Sequence, residues 1–75
     1  MNLRTALSIY TLDGPTNDTR STSIKANASA IVHTYLTQEE MAKVSKAWAQ
    51  SKVSKVPFLE LMTEIRQRLE VEGKL

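Results

Sequence analysis

Seventy-five residues, a formal net charge of +2 and no cysteine bound what this chain can be. A single domain of this size buries only about 60% of its unfolded surface, so it is marginal without a metal, disulfides or a second copy. Disulfides and thiolate sites are excluded, and His33, the only histidine, would need carboxylates for every other metal ligand. No metal and no cofactor are expected, which leaves oligomerisation as the source of added burial.

From the N-terminus, Leu3, Leu7, Ile9 and Leu12 alternate loosely among Arg4, Thr5, Ser8, Tyr10 and Thr11, the pattern of a short strand or a loosely held arm. The segment is too short and too polar for a signal h-region or a membrane span, so a cytoplasmic protein with no membrane partner is expected. Asp13-Gly14-Pro15-Thr16-Asn17-Asp18 is a turn by composition, and the Thr/Ser/Asn-rich run that continues to Ser29 has few groups worth burying. Residues 1–28 are therefore expected to be a flexible arm or edge strand, with a hairpin pairing residues 5–12 and 22–32 as the structured alternative. Asn17-Asp18-Thr19 and Asn27-Ala28-Ser29 match the glycosylation pattern, without consequence in a protein that is not exported.

Ile31-Val32-His33-Thr34-Tyr35-Leu36 is rich in β-branched, aromatic and aliphatic residues and reads as a strand. A helix over Ile24–Leu36 is the rival, because Ala26, Ala28 and Ala30 favour one and Ile31, Val32, Tyr35 and Leu36 would share a stripe.

Thr37-Gln38-Glu39-Glu40 is a capping box, flanked by Leu36 and Met41 in the positions of a hydrophobic staple, and it predicts a helix start. The stripe Met41, Val44, Trp48, joined by Ala47, predicts that this helix runs to about Gln50 or Ser51. Pro57 suits the first turn of a second helix, along which Phe58, Leu61, Met62, Ile65 and Leu69 recur at helical spacing until Gly73 offers a stop. Glu64 with Arg68, and Glu70 with Lys74, are i,i+4 pairs in the favourable order.

Between Met41 and Phe58 lie Lys43, Lys46, Lys52 and Lys55 and no acidic residue, a local charge of +4 in a chain of +2. Charge concentrated in this way marks a polyanion partner, or else a solvated helix face in which Glu39 and Glu40 serve Lys43. Lys43, Lys46 and Gln50 would share one polar face of the first capped helix. Ser54, just ahead of Pro57, can help cap the second helix, whose N-terminal amides could also hold a phosphate.

Strand, capped helix, short basic connector and longer amphipathic helix: over residues 30–72 the sequence resembles the ribbon-helix-helix family of DNA-binding proteins. With a polar tail ahead of the fold, its layout is similar to that of small plasmid-partition members. The resemblance implies an α+β, mainly helical fold, in which residues 29–75 form a strand-helix-helix domain paired in a homodimer, with the arm ahead of it. It implies an antiparallel ribbon with Ile31, His33 and Tyr35 facing outward as base contacts and Thr37 at its end. Val32, Thr34 and Leu36 would point inward. Val32, Leu36, Trp48, Phe58, Leu61, Met62, Ile65 and Leu69 would make the dimer core, and Lys43, Lys46, Lys52, Ser54 and Lys55 the phosphate contacts. His33 and Tyr35 can each offer a hydrogen bond to a base edge, and Ile31 an apolar contact with a thymine methyl.

No nucleophile-base pair, glycine-rich phosphate loop or convergent carboxylate pair occurs, so no enzyme is expected. The expected function is sequence-specific binding of double-stranded DNA, as a small transcriptional repressor or partition protein of a phage or plasmid. The alternative is a protein-binding module, an inhibitor or antirepressor that lays its amphipathic C-terminal helix into another protein.

Overall fold

Asn2 opens the first helix by local chemistry: its side-chain oxygen accepts from the Thr5 amide at 2.8 Å, satisfying one of the donors a helix start leaves free. In the computed structural model, which describes residues 1–15 and 23–75, four helices follow in order. They are α1 (Leu3–Asp13), α2 (Ser23–Tyr35), α3 (Gln38–Gln50) and α4 (Val56–Val71). The chain divides into two compact units, Met1–Tyr35 and Leu36–Leu75, each a pair of packed helices.

This overturns the α+β ribbon expectation, because the described residues contain no strand. In the first unit, the described part of residues 1–28, read as an arm or edge strand, holds α1 and the start of α2, and these two helices pack together. The buried residues of α1, Ala6, Leu7 and Tyr10, follow helical spacing. Thr and Ser inside these helices are accommodated because their hydroxyls bond back one turn. Thr11 donates to the Leu7 carbonyl at 2.7 Å, Ser8 to Arg4 at 3.2 Å and Thr34 to Ala30 at 2.9 Å. Gly14 ends α1 at φ 72°, its amide donating to the Tyr10 carbonyl at 2.7 Å. The turn expected at residues 13–18 is described only this far. Residues 16–22, with the Asn17-Asp18-Thr19 match and the first part of the polar run, lie outside the described residues, while the rest of that run, residues 23–29, lies in α2.

Of the stretch read as a strand, residues 31–35 are instead the end of α2 and Leu36 lies just past it, so the form observed is close to the rival helix over Ile24–Leu36, running Ser23–Tyr35. A lone strand leaves its amides and carbonyls waiting for a second chain, whereas a helix satisfies them within the segment. Ala28, Ser29 and Val32 are buried along α2.

The second unit follows the sequence closely. The capping box is formed, the Thr37 hydroxyl accepting from the Glu40 amide at 3.1 Å and the Glu40 carboxylate from the Thr37 amide at 2.9 Å. Helix α3 buries Val44 and Ala47, and α4 buries Phe58, Met62, Ile65 and Leu69, while Met41, Trp48, Leu61 and Leu36 are half-buried. The Trp48 and Phe58 rings meet edge to face at 5.0 Å, which joins the two helices near the connector. The apolar stripe of α4 is thus buried within a single chain. Gly73 ends α4 in a Schellman motif, with the Lys74 amide donating to the Leu69 carbonyl at 2.8 Å and the Gly73 amide to Glu70 at 3.0 Å.

Candidate functional site

The lysines are placed by the way α3 ends. Val44 and Ala47 turn inward, so Lys43, Lys46 and Gln50 lie on a solvent-facing side of the same helix. Beyond Gln50 the chain coils on without a glycine: Ser51 keeps right-handed helical angles (φ −63°, ψ −18°), and the amides of Val53 and Ser54 donate to the Gln50 carbonyl at 2.9 and 3.0 Å. Helix α4 then starts with Lys55 at its N-cap and Pro57 in its first turn. The Ser54 hydroxyl accepts from the Val56 amide at 3.3 Å, but the N-cap of α4 is Lys55, which makes no side-chain capping bond.

This join sets Lys52, Val53, Ser54 and Lys55 side by side on the surface. Lys43 lies 3.6 Å from Glu39, an exposed pair of the kind that contributes only about 0.2–1 kcal/mol. Lys46, Lys52 and Lys55 are exposed and make no ion pair among the described residues. Beside them is an open groove of about 330 Å³ lined by Gln50, Val53, Ser54 and Pro57. Val53 is 95% exposed, Val56 57% and Leu59 44%, so apolar surface and positive charge share one end of the α3–α4 hairpin.

The base contacts expected of Ile31, His33 and Tyr35 lose their geometry along with the ribbon. Alternate residues of a strand share a face, but on a helix they stand about 200° apart, so the three cannot form a row. Ile31 and His33 are half-buried, and Tyr35 is exposed at the end of α2. His33 is occupied within its own unit: its Nε2 lies 2.8 Å from the Tyr10 hydroxyl, and the two rings meet edge to face at 5.3 Å. Burial lowers the imidazole pKa and raises that of the Tyr10 phenol, so neutral forms of both are favoured and the hydroxyl can donate to the ring. These residues belong to the first unit and the lysines to the second.

The charge that organises the second unit was not visible in the sequence. Arg68, expected to serve Glu64, reaches back to Glu40, its Nε and Nη2 each 2.8 Å from a different carboxylate oxygen, and also lies 2.8 Å from Glu72. Burial pushes the Glu40 carboxyl up, but the hydrogen bonds from Arg68 and Thr37 and the Arg68 charge outweigh it and hold the group below the usual carboxylate range. One carboxylate therefore both caps α3 and ties it to α4. Capping-box spacing marked Glu40 in the sequence, but nothing local marks a partner 28 residues away.

Among the described residues no group of three or more His, Asp or Glu side chains gathers to hold a metal, and no helix is long and apolar enough to cross a membrane. Comparison of the chain with family models, curated proteins and solved structures gives no match.

Proposed function

We propose that this chain is a small non-enzymatic binding protein of the cytoplasm that attaches to an acidic region of another protein through the lysine-bearing join of α3 and α4. The observation that carries the reading is that Lys46, Lys52 and Lys55 are exposed with no ion pair among the described residues, in a stretch without a carboxylate from Met41 to Phe58. Crowded like charges repel one another, and a partner's carboxylates convert that repulsion into attraction and faster encounter. A protein partner is favoured over nucleic acid by Val53, Val56 and Leu59, whose exposed apolar surface would find nothing to bury against on a phosphate backbone.

Double-stranded DNA is the second reading, supported by the charge concentration itself. In it Lys43, Lys46, Lys52, Lys55 and Ser54 would touch phosphates and carry no sequence information.

A titration separates the two. The full chain and its K46A/K52A/K55A variant are titrated against a labelled acidic peptide and a labelled duplex at several salt concentrations. Binding of the peptide, weakened about tenfold in the variant, is expected from three exposed pairs at roughly 0.2–1 kcal/mol each. Equal binding by parent and variant would refute the reading. Preference for the duplex, with a log-log salt slope of about −0.9 per phosphate contacted, would give the site to DNA.

A further inference from the structure

An apolar groove among lysines asks more of a partner than charge. The groove lined by Gln50, Val53, Ser54 and Pro57 holds about 330 Å³, the low end of the range for small-molecule sites and room enough for a side chain. Its surroundings are one-sided in charge. Lys46 and Gln50 are one turn apart on the same face of α3, so Lys46 neighbours the Gln50 wall of the groove, and Lys52 and Lys55 bracket its Val53 and Ser54 wall in the connector. The nearest carboxylate in sequence after Pro57 is Glu60, and before Lys43 it is Glu40, which Arg68 engages.

The groove offers no aromatic face. Trp48, three residues from Ser51, is packed edge to face on Phe58 at 5.0 Å, so it is not presented as a stacking platform for a nucleotide base. Val53 and Pro57 line it with aliphatic groups, and Gln50 and Ser54 add an amide and a hydroxyl as polar handles. Val53 at 95% exposure is nearly as open as a side chain can be, and covering it is favourable for any aliphatic group that reaches it.

We infer that the occupant is a protein segment in which an aliphatic side chain is flanked by carboxylates: the aliphatic group enters the groove over Val53 and Pro57 while the carboxylates meet Lys46, Lys52 and Lys55. This rests on the reading of the lysines as a site for an acidic protein and adds to it the feature that gives selectivity. Exposed ion pairs tolerate many arrangements of charge, whereas an anchor must stand at a fixed distance from its carboxylates.

The test uses short peptides of equal charge that differ only in a central leucine, valine or serine, titrated by fluorescence anisotropy against the full chain, the K46A/K52A/K55A variant and a V53S variant. Val53 is exposed, so V53S is expected to fold, and Trp48 emission verifies that it has. The leucine peptide should bind the parent about tenfold more tightly than the serine peptide, as expected for partial burial of one aliphatic side chain. In V53S that preference should collapse towards one. Equal binding of the leucine and serine peptides by the parent, with both lost in the lysine variant, would overturn the groove inference and leave the charge reading standing. Failure of every peptide to bind the parent at low salt would overturn both. A duplex that outcompetes the leucine peptide, with V53S unaffected, would overturn the inference in favour of nucleic acid.

Discussion

Replacing Glu40 with Ala should unfold the second helical pair more easily than any other single surface change. The carboxylate receives two hydrogen bonds from Arg68 at 2.8 Å and one from the Thr37 amide at 2.9 Å, with side-chain exposure of 15% for Glu40 and 27% for Arg68. A charged hydrogen-bonded pair contributes about 1.5–3 kcal/mol, and the low end applies here because Arg68 is partly wet and keeps Glu72. Losing half of the capping box adds roughly 0.5 kcal/mol, for a total near 2 kcal/mol and a fall in Tm of about 8–16 °C. Trp48, the only tryptophan, sits on Phe58 in this unit, so its fluorescence during urea unfolding follows this pair of helices. Glu39→Ala is the control one residue away, since its carboxylate is 80% exposed and 3.6 Å from Lys43, and it should cost at most about 0.5 kcal/mol. A double-mutant cycle with Arg68→Met should return a coupling of about 1–1.5 kcal/mol. The pH dependence has a definite sign. The folded carboxyl titrates below its ordinary value, so its stabilisation is complete above that value, near 4.5, and is lost as the pH falls through the folded pKa. The Glu40→Ala protein should therefore show a flatter acid limb. A Glu40→Ala cost no larger than that of Glu39→Ala, or a coupling below about 0.3 kcal/mol, would refute this account.

Tyr10→Phe should loosen the first unit by about 1–2 kcal/mol by removing the partner of the half-buried His33 ring, seen as faster amide exchange in α1 and α2 and unchanged exchange in α4. Because burial lowers the His33 pKa, the unfolded chain binds the proton more readily. Stability of this unit should be full above about pH 6.5 and decline below it, and His33→Phe should remove that decline. Phe58→Ala should cost about 3–5 kcal/mol, since Phe58 is fully buried and packs on Trp48, and thermal melts followed by Trp48 emission should show the pair near or past its unfolding threshold. Gly73→Ala should cost about 1 kcal/mol from backbone strain alone, because φ is +74° and an added Cβ meets nothing within 4 Å; the cost should appear as fraying of the last turn of α4 by amide exchange.

The second unit was legible because its signals are local. A capping box, a proline in a first turn, a glycine at C′ and two apolar stripes each fix a few neighbouring residues by hydrogen bonding or burial, and Thr37–Glu40, Pro57 and Gly73 do in the structure what their spacing implied. The lysine cluster was legible for the same reason, being a property of one short stretch. The first unit was not. Ile31–Leu36 is strand-like by propensity, yet the helix and strand preferences of such residues differ by only tenths of a kcal/mol each. Packing of α1 on α2, with Leu7, Tyr10, Ala28 and Val32 buried, decided the outcome. The Asn2 cap was a readable signal for α1, but it stood beside Thr5, Ser8 and Thr11, which weaken a helical reading until their hydroxyls are seen to bond back to the preceding turn. The Tyr10–His33 and Glu40–Arg68 contacts join residues 23 and 28 positions apart, and the groove at Val53 and Pro57 exists only once α3 has ended and α4 begun. Such features depend on where two helices meet, which no run of neighbouring residues encodes, so they were settled by the tertiary structure alone.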